Sequence, residues 1–257
     1  MPSLDRKDFV LVATQLPRYE QCPATGVYRI GGVKEKIGYG MWYGIFVHRF
    51  LEYALERGRD AALEYIRTKK MKKVREVCEA IDTDALPTGR AEVAMLFDPS
   101  RNKGREMYRG ESWELIDVES EQYVKSDLVS ASGAPGRRAP LIGDYKCGPA
   151  SLELHPAEST QLLAGAAAWR AMNRDGWGLN YSGRIDVALI TVLGTGELVW
   201  RIVELDDRDL DAYTGRARRV HLRVLDDRTR ADSGNPPDFV PGPMCDHCEL
   251  QPVCPAR

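Results

Sequence analysis

At 257 residues, with 43% hydrophobic and 29% charged residues, the chain has the length and composition of one sizeable soluble domain. A net charge of −2 supplies no global attraction to nucleic acid, so such a partner would have to be met by local basic patches. No apolar run reaches membrane-spanning length and Met1 to Lys7 carries no secretory pattern; the expected address is the cytoplasm, where six cysteines argue for metal or free thiols over disulfides.

The chain starts apolar at Phe9–Val12 and runs into Leu16–Pro17–Arg18–Tyr19–Glu20–Gln21–Cys22–Pro23. Taken alone, Cys22 reads as a small buried hydrophobe. From Met41 to Arg57, Ile45, His48, Leu51 or Glu52, and Leu55 recur at spacings of three and four, which predicts a helix with all of them on one face. His48 and Glu52 then lie one turn apart. They are either a core histidine beside an acid or a metal or acid–base pair. Residues 56–88 are expected to form a helical excursion, and Arg67 to Arg75 places six basic residues in it.

Strand patterning returns at Arg90–Phe97, followed by a turn at Asp98–Pro99–Ser100, and again at Trp113–Val118 and Gln122–Val129. Ser130 to Arg138 is turn chemistry built around Pro135–Gly136. The next strand, Leu141–Ile142–Gly143–Asp144–Tyr145–Lys146–Cys147–Gly148, is the unusual one. Alternation sets Asp144 and Lys146 on one face and Tyr145 on the other. Charges inside a short apolar strand must be paired or sit on a metal, so the stretch is either an edge strand with a salt bridge or a carboxylate that holds a divalent cation beside a lysine.

A hairpin centred on Pro135–Gly136 makes residues whose numbers sum to 271 face each other. Asp127 then sits opposite Asp144, and Lys125 opposite Lys146. Like charges directly opposite repel unless something bridges them. A cation between the aspartates would do so; a quartet of two acids and two lysines would instead neutralise itself.

Ser151 to Asn173 is expected to be an Ala-rich helix carrying Gln161, Asp186–Leu193 a buried strand, Leu198–Glu204 its returning partner, and about Asp207 to Leu225 a helix with the cluster Arg216, Arg218, Arg219 and Arg223. After a Pro-rich loop the chain ends in Cys245-x2-Cys248-x5-Cys254, which is metal-ligand spacing. Three thiolates need a fourth ligand: His247, which would favour zinc, or a distant cysteine, which would allow zinc or an iron–sulfur cluster.

Together these residues resemble the RecB-type branch of the PD-(D/E)XK nuclease superfamily, closest to its iron–sulfur members such as the CRISPR-adaptation nucleases and the AddB nuclease domain. The resemblance runs from Cys22 to Cys254. It is carried by His48 with Leu51 and Glu52, the strand acid Glu92, Asp127, and Asp144–Tyr145–Lys146 with Gly148 behind; Cys22–Pro23 and the terminal cysteines add the iron–sulfur bracket. It implies a single α/β domain over residues 1–257, with a mixed restriction-endonuclease-like sheet flanked by helices. It also implies that Cys22, Cys245, Cys248 and Cys254 join the chain ends at a 4Fe–4S cluster.

The implied activity is that of a Mg²⁺- or Mn²⁺-dependent DNA exonuclease acting on single strands or ends, in recombination, repair or phage DNA metabolism. His48, Asp127, Asp144 and the Tyr145 carbonyl would be the metal ligands, with Lys146 and Gln161 as further catalytic groups and Lys125 as helper or charge balance. Recombination or CRISPR-adaptation proteins would be its partners, and a DNA-binding scaffold without turnover is the rival from another class. In one respect the chain departs from the pattern: where family members carry Gln-x3-Tyr, Gln161 is followed at that spacing by Gly165.

Overall fold

The structure is a computed structural model that describes residues 4–6, 10–30, 38–108, 111, 115–174 and 183–256. A short pair, β1 (Leu4–Arg6) with β3 (Tyr28–Ile30), brackets β2 (Leu11–Val12), α1 (Leu16–Gln21) and α2 (Ala24–Val27). Then come α3 (Tyr39–Arg57), α4 (Arg59–Arg67), α5 (Lys72–Ala80), β4 (Arg90–Asp98), β5 (Lys103–Glu106), β6 (Gln122–Ser130) and β7 (Leu141–Cys147). The chain continues through α6 (Thr160–Arg174), β8 (Arg184–Val192), β9 (Leu198–Asp206) and α7 (Asp207–Asp232). The main sheet runs β5-β4-β6-β7-β8-β9, with β2 pairing parallel to β6. It is mixed: β7 and β8 are parallel and the other neighbours antiparallel. Parallel neighbours need a long crossover, and α6 supplies it.

Helices cover both faces. On one, α6 and α7 meet Val93, Met95, Phe97, Val124, Ile142 and the apolar run of β8. The five alanines Ala164, Ala166, Ala167, Ala168 and Ala171 are fully buried, so α6 lies close against the strands. On the other face, α3, α4 and α5 bury Phe50, Leu51, Ile66, Val74, Val77 and Cys78 against Leu128, Leu141, Tyr145 and Ile190. The segment 56–88 thus carries its apolar stripe in the second core and turns its lysines outward. Strand β8, covered on both sides, is apolar almost throughout, as a central strand must be.

Two expected elements differ. Leu115–Val118 is not a strand, and Trp113 and Glu114 lie outside the described residues. The Asp117 side chain accepts from the Glu119 backbone and the Ser120 hydroxyl, a local turn that competes with strand pairing. The helix expected from Ser151 starts only at Thr160, after 3₁₀ turns at Pro149–Glu153 and Pro156–Glu158. Pro156 has no N–H to give to a continuous helix, so the backbone restarts there. The arginine cluster of α7 also proves partly structural: Arg216 pairs with Glu20, and Arg223 donates to the Tyr19 carbonyl, tying α7 to α1. Among the described residues no helix is long and apolar enough to cross a membrane.

Candidate active site

The hairpin register is the expected one. Leu128 pairs with Gly143, Val129 with Ile142 and Ser130 with Leu141, each summing to 271. The pairing stops there. Continued by one step, it sets Asp127 against Asp144, and at that step the strands part. The Asp127 carboxylate fills the gap, accepting the Tyr145 N–H at 2.8 Å. A side chain has replaced a strand carbonyl as the hydrogen-bond partner, and a peptide N–H is thereby satisfied at the centre of the sheet.

The same row extends to β4. Ala91 pairs with Leu128 and Val93 with Ser126, so Glu92 sits opposite Asp127. Glu92 holds a left-handed backbone angle, φ 54°, which is uncommon for a residue with a side chain and marks local strain. Helix α3 supplies the fourth group. His48 Nδ1 lies 3.4 Å from Asp127 Oδ2, and the ring stands edge-on to Tyr145 at 5.9 Å between centroids. His48, Glu92 and Asp127 each present a ligand atom within 4.8 Å of the others, at the floor of a pocket of about 320 Å³.

The charges follow from this packing. Asp144 is 1% exposed, and burial lifts its carboxyl well above the ordinary range. The ammonium of Lys146, 2.7 Å away, opposes that rise, and the hydrogen bond with Asp127 adds to it. His48 is held below its usual value, first by burial, which keeps the imidazole neutral and able to ligate. Burial also lowers Lys125, which pairs with Glu92.

The residues singled out in the sequence therefore fall into three placements. His48 and Asp127 meet, together with the Tyr145 N–H, where β6 and β7 part; Asp144 lies beside them, ion-paired with Lys146 and outside the group of ligand atoms that His48, Glu92 and Asp127 form within 4.8 Å. Gln161 enters from the first turn of α6 and donates to the Lys125 carbonyl at 3.0 Å, holding the backbone just ahead of Asp127. Glu52, the other half of the helical pair, is buried and ion-paired with Arg49. Glu92 stands closer to the ligand group than the hairpin alone implies. Pairing residues 90–97 with 122–129 by the same arithmetic would have placed it opposite Asp127.

Cys22, Cys245, Cys248 and Cys254 line one cavity of about 120 Å³ between the end of α1 and the terminal 3₁₀ turns, Cys245–His247 and Gln251–Val253. All are free thiols. The Val240 N–H donates to Cys22 Sγ at 3.4 Å and the Gly242 N–H to Cys245 Sγ at 3.2 Å. The His247 side chain lies outside what is described.

A mixed sheet that brings three carboxylates, a neutral imidazole and a lysine to parted strands is the architecture of a metal-dependent nuclease. The family model of the PD-(D/E)XK nuclease superfamily matches residues 11–255, and the chain belongs to that superfamily. No curated protein matches it. Among solved structures, it is similar to a "putative exonuclease" from Eubacterium rectale, at 16% identity and a TM-score of 0.45, covering 86% of this chain and 76% of the other.

Proposed function

We propose that the chain is a Mg²⁺- or Mn²⁺-dependent deoxyribonuclease that shortens single-stranded DNA or DNA ends, and that its cysteines hold a 4Fe–4S cluster. The observation that carries the first part is the row Glu92, Asp127, Asp144 across three strands. Lys125 and Lys146 offset the charge on Glu92 and Asp144, while the ligand atoms of His48, Glu92 and Asp127 lie within 4.8 Å of one another, an imidazole with two carboxylates that suits Mg²⁺ or Mn²⁺. His48, Asp127, Asp144 and the Tyr145 carbonyl would hold the ion, with Glu92 beside them. A divalent ion supplies an activated water and offsets phosphate charge. Lys146, anchored on Asp144, stands ready to orient that water or to meet charge developing on the phosphate. The exonucleolytic assignment follows from the sequence resemblance.

For the cysteines, two backbone N–H donors already point at sulfur, as they do around thiolate ligands. Tetrahedral zinc would draw its sulfurs to about 3.8 Å of one another, given Zn–S bonds near 2.3 Å. The choice of a cluster over zinc follows from the sequence resemblance.

The test is anaerobic purification followed by digestion of 5′- and 3′-labelled single strands with Mg²⁺, with Mn²⁺ and with chelator. Metal-dependent shortening is expected from a brown protein. A protein that binds DNA but never cuts it would be the scaffold instead. A colourless one carrying stoichiometric zinc would remove the cluster.

A further inference from the structure

The metal pocket has an apolar threshold. Helix α3 leaves Met41, Trp42 and Ile45 exposed at 50%, 42% and 37%, although burying such side chains is the usual driving force of a helix. Ile45 and Arg49 line the same pocket as His48, Glu92 and Asp127, so this exposed surface adjoins the acidic site. Gly44 sits beside Ile45 in that wall, and a Cβ added there or at Gly40 would meet nothing within 4 Å. The helix is therefore open on this side.

The surface is also not merely greasy. Trp42 stacks on Phe46, with centroids 5.7 Å apart and planes 22° from parallel. Lys69 Nζ stands 5.8 Å from the Phe46 centroid and 4.2 Å from that of Tyr65. Tyr65 in turn stacks on Tyr53 at 4.8 Å, and Arg57 covers Tyr53 at 4.7 Å. Rings and cations thus alternate from the mouth of the metal pocket into the basic turn between α4 and α5, where Arg67, Lys70, Lys72 and Lys73 are exposed. Lys72 pairs with Glu76 one turn on, yet an apolar protein partner would offer nothing to Arg67, Lys70 and Lys73. A polyanion carrying flat, unpaired rings matches both halves.

We propose that this ladder is the grip for an unpaired DNA strand, Trp42 stacking on a base and the basic turn holding the backbone so that the strand is led into the metal pocket. The inference rests on the nuclease reading and names how its substrate is recognised. Inside a duplex the base faces are covered by neighbouring pairs, so away from its ends a duplex engages the basic residues alone.

The experiment measures equilibrium binding of a fluorescein-labelled single strand, and of the blunt duplex of the same sequence, in chelator so that no cleavage intervenes. Wild type is compared with Trp42→Ala, Trp42→Phe, and the pair Lys72→Ala and Lys73→Ala. Trp42→Ala should weaken single-strand binding about 5- to 100-fold, the range expected when one base–aromatic stack is removed, with duplex binding changed less than about threefold. Trp42→Phe should restore most of that affinity. The lysine pair should flatten the salt dependence, by about 0.7 in log–log slope for each phosphate that is no longer neutralised.

Wild-type single-strand affinity in Trp42→Ala overturns the inference, and if the wild type cuts DNA the nuclease reading stands without it. Conversely, binding that depends on Trp42 in a protein that cuts with neither metal leaves the grip in place and removes the nuclease. A shift in sedimentation for Trp42→Ala with unchanged oligonucleotide binding would assign the surface to a second copy of the chain, and so also overturn it.

Discussion

The acidic pocket and the cysteine cavity are built in opposite ways. Every group in the first comes from a regular element: His48 from α3, Glu92 from β4, Asp127 from β6, and Asp144 and Lys146 from β7. Strand register sets their spacing, and Lys125 and Lys146, paired with Glu92 and Asp144, offset the repulsion among the acids. In the second, Cys22 ends a six-residue helix and the others sit in or beside 3₁₀ turns of three residues. Little hydrogen bonding within those turns would keep four sulfurs together. The fold makes the first site, whereas the cluster proposed for the second would help make the fold by joining Cys22 to Cys254.

Substitutions should separate the two. Asp127→Ala or Lys146→Ala is expected to lower cleavage of labelled single strands about 100- to 1,000-fold or more, the effect seen when a preorganised charge-stabilising group is removed. Both variants should still fold but melt somewhat lower, because Asp127 accepts the buried Tyr145 N–H and Lys146 offsets the buried Asp144 charge. Cys248→Ala should instead leave cleavage by the folded protein nearly intact and cost mainly stability. A link between residues so far apart in sequence is worth on the order of 5 kcal/mol if it acts like a disulfide of similar span. That predicts a melting temperature lower by about 10–20 °C in a domain of this size, together with loss of colour. Equal melting of Cys248→Ala and wild type would show that the cavity contributes nothing to the fold, and the contrast would collapse.

A subtler break concerns the cost of the acidic row. Burial raises the Asp144 carboxyl from 3.8 to about 7, so the metal-free folded state holds a proton that the unfolded chain has released. Stability of the metal-free protein should therefore fall as pH rises from about 4 to 7. Asp144→Asn keeps the shape and drops the buried charge. It is expected to stabilise the metal-free protein by about 1–3 kcal/mol at pH 8 while abolishing cleavage. Urea midpoints in chelator at pH 5 and pH 8 check this. A variant no more stable than wild type at pH 8 would mean that Lys146 already offsets the charge in full.

How far such a site can be read from residues alone depends on whether its spacing is local. The hairpin around Pro135–Gly136 fixes the register of Asp127 and Asp144, because turn chemistry and alternation both act within a few residues. The row's extension to Glu92 follows from a second pairing, but its left-handed backbone does not, since no rule of alternation announces a strained glutamate in a strand. The start of α6 is harder to place because the Ala-rich pattern runs back past Pro156, and only the proline marks the break. The basic cluster on α7 has the composition of a surface for phosphate, yet Arg216 and Arg223 are spent on α1, a long-range pairing that composition cannot show. The ladder from Trp42 to Lys69 likewise joins separate helices, and its parts look ordinary in isolation.

Gly165 marks the smallest expected effect and shows why one departure from the family pattern is not a defect. In a helix interior, glycine should be inferior to alanine by about 1 kcal/mol, so Gly165→Ala would stabilise an isolated α6. In the folded chain, however, an added Cβ would lie 2.5 Å from Ser126 Oγ and 2.9 Å from a methyl of Ile142. Neither can retreat, because Ser126 is buried in β6 next to Asp127 and Ile142 is fully buried in β7. Overpacking of that kind costs about 1–3 kcal/mol and outweighs the helical gain. Gly165→Ala should thus be destabilised by about 1 kcal/mol, with a lower melting point, and because the clash presses on the residue beside Asp127 its cleavage should also fall a few-fold. A tyrosine has no room at this position, so close packing of α6 on the parted strands has taken the place of the aromatic. Unchanged melting and cleavage in Gly165→Ala would show that α6 can move away from the sheet, and the rigidity ascribed to the acidic site would then be no greater than that of the cysteine cavity.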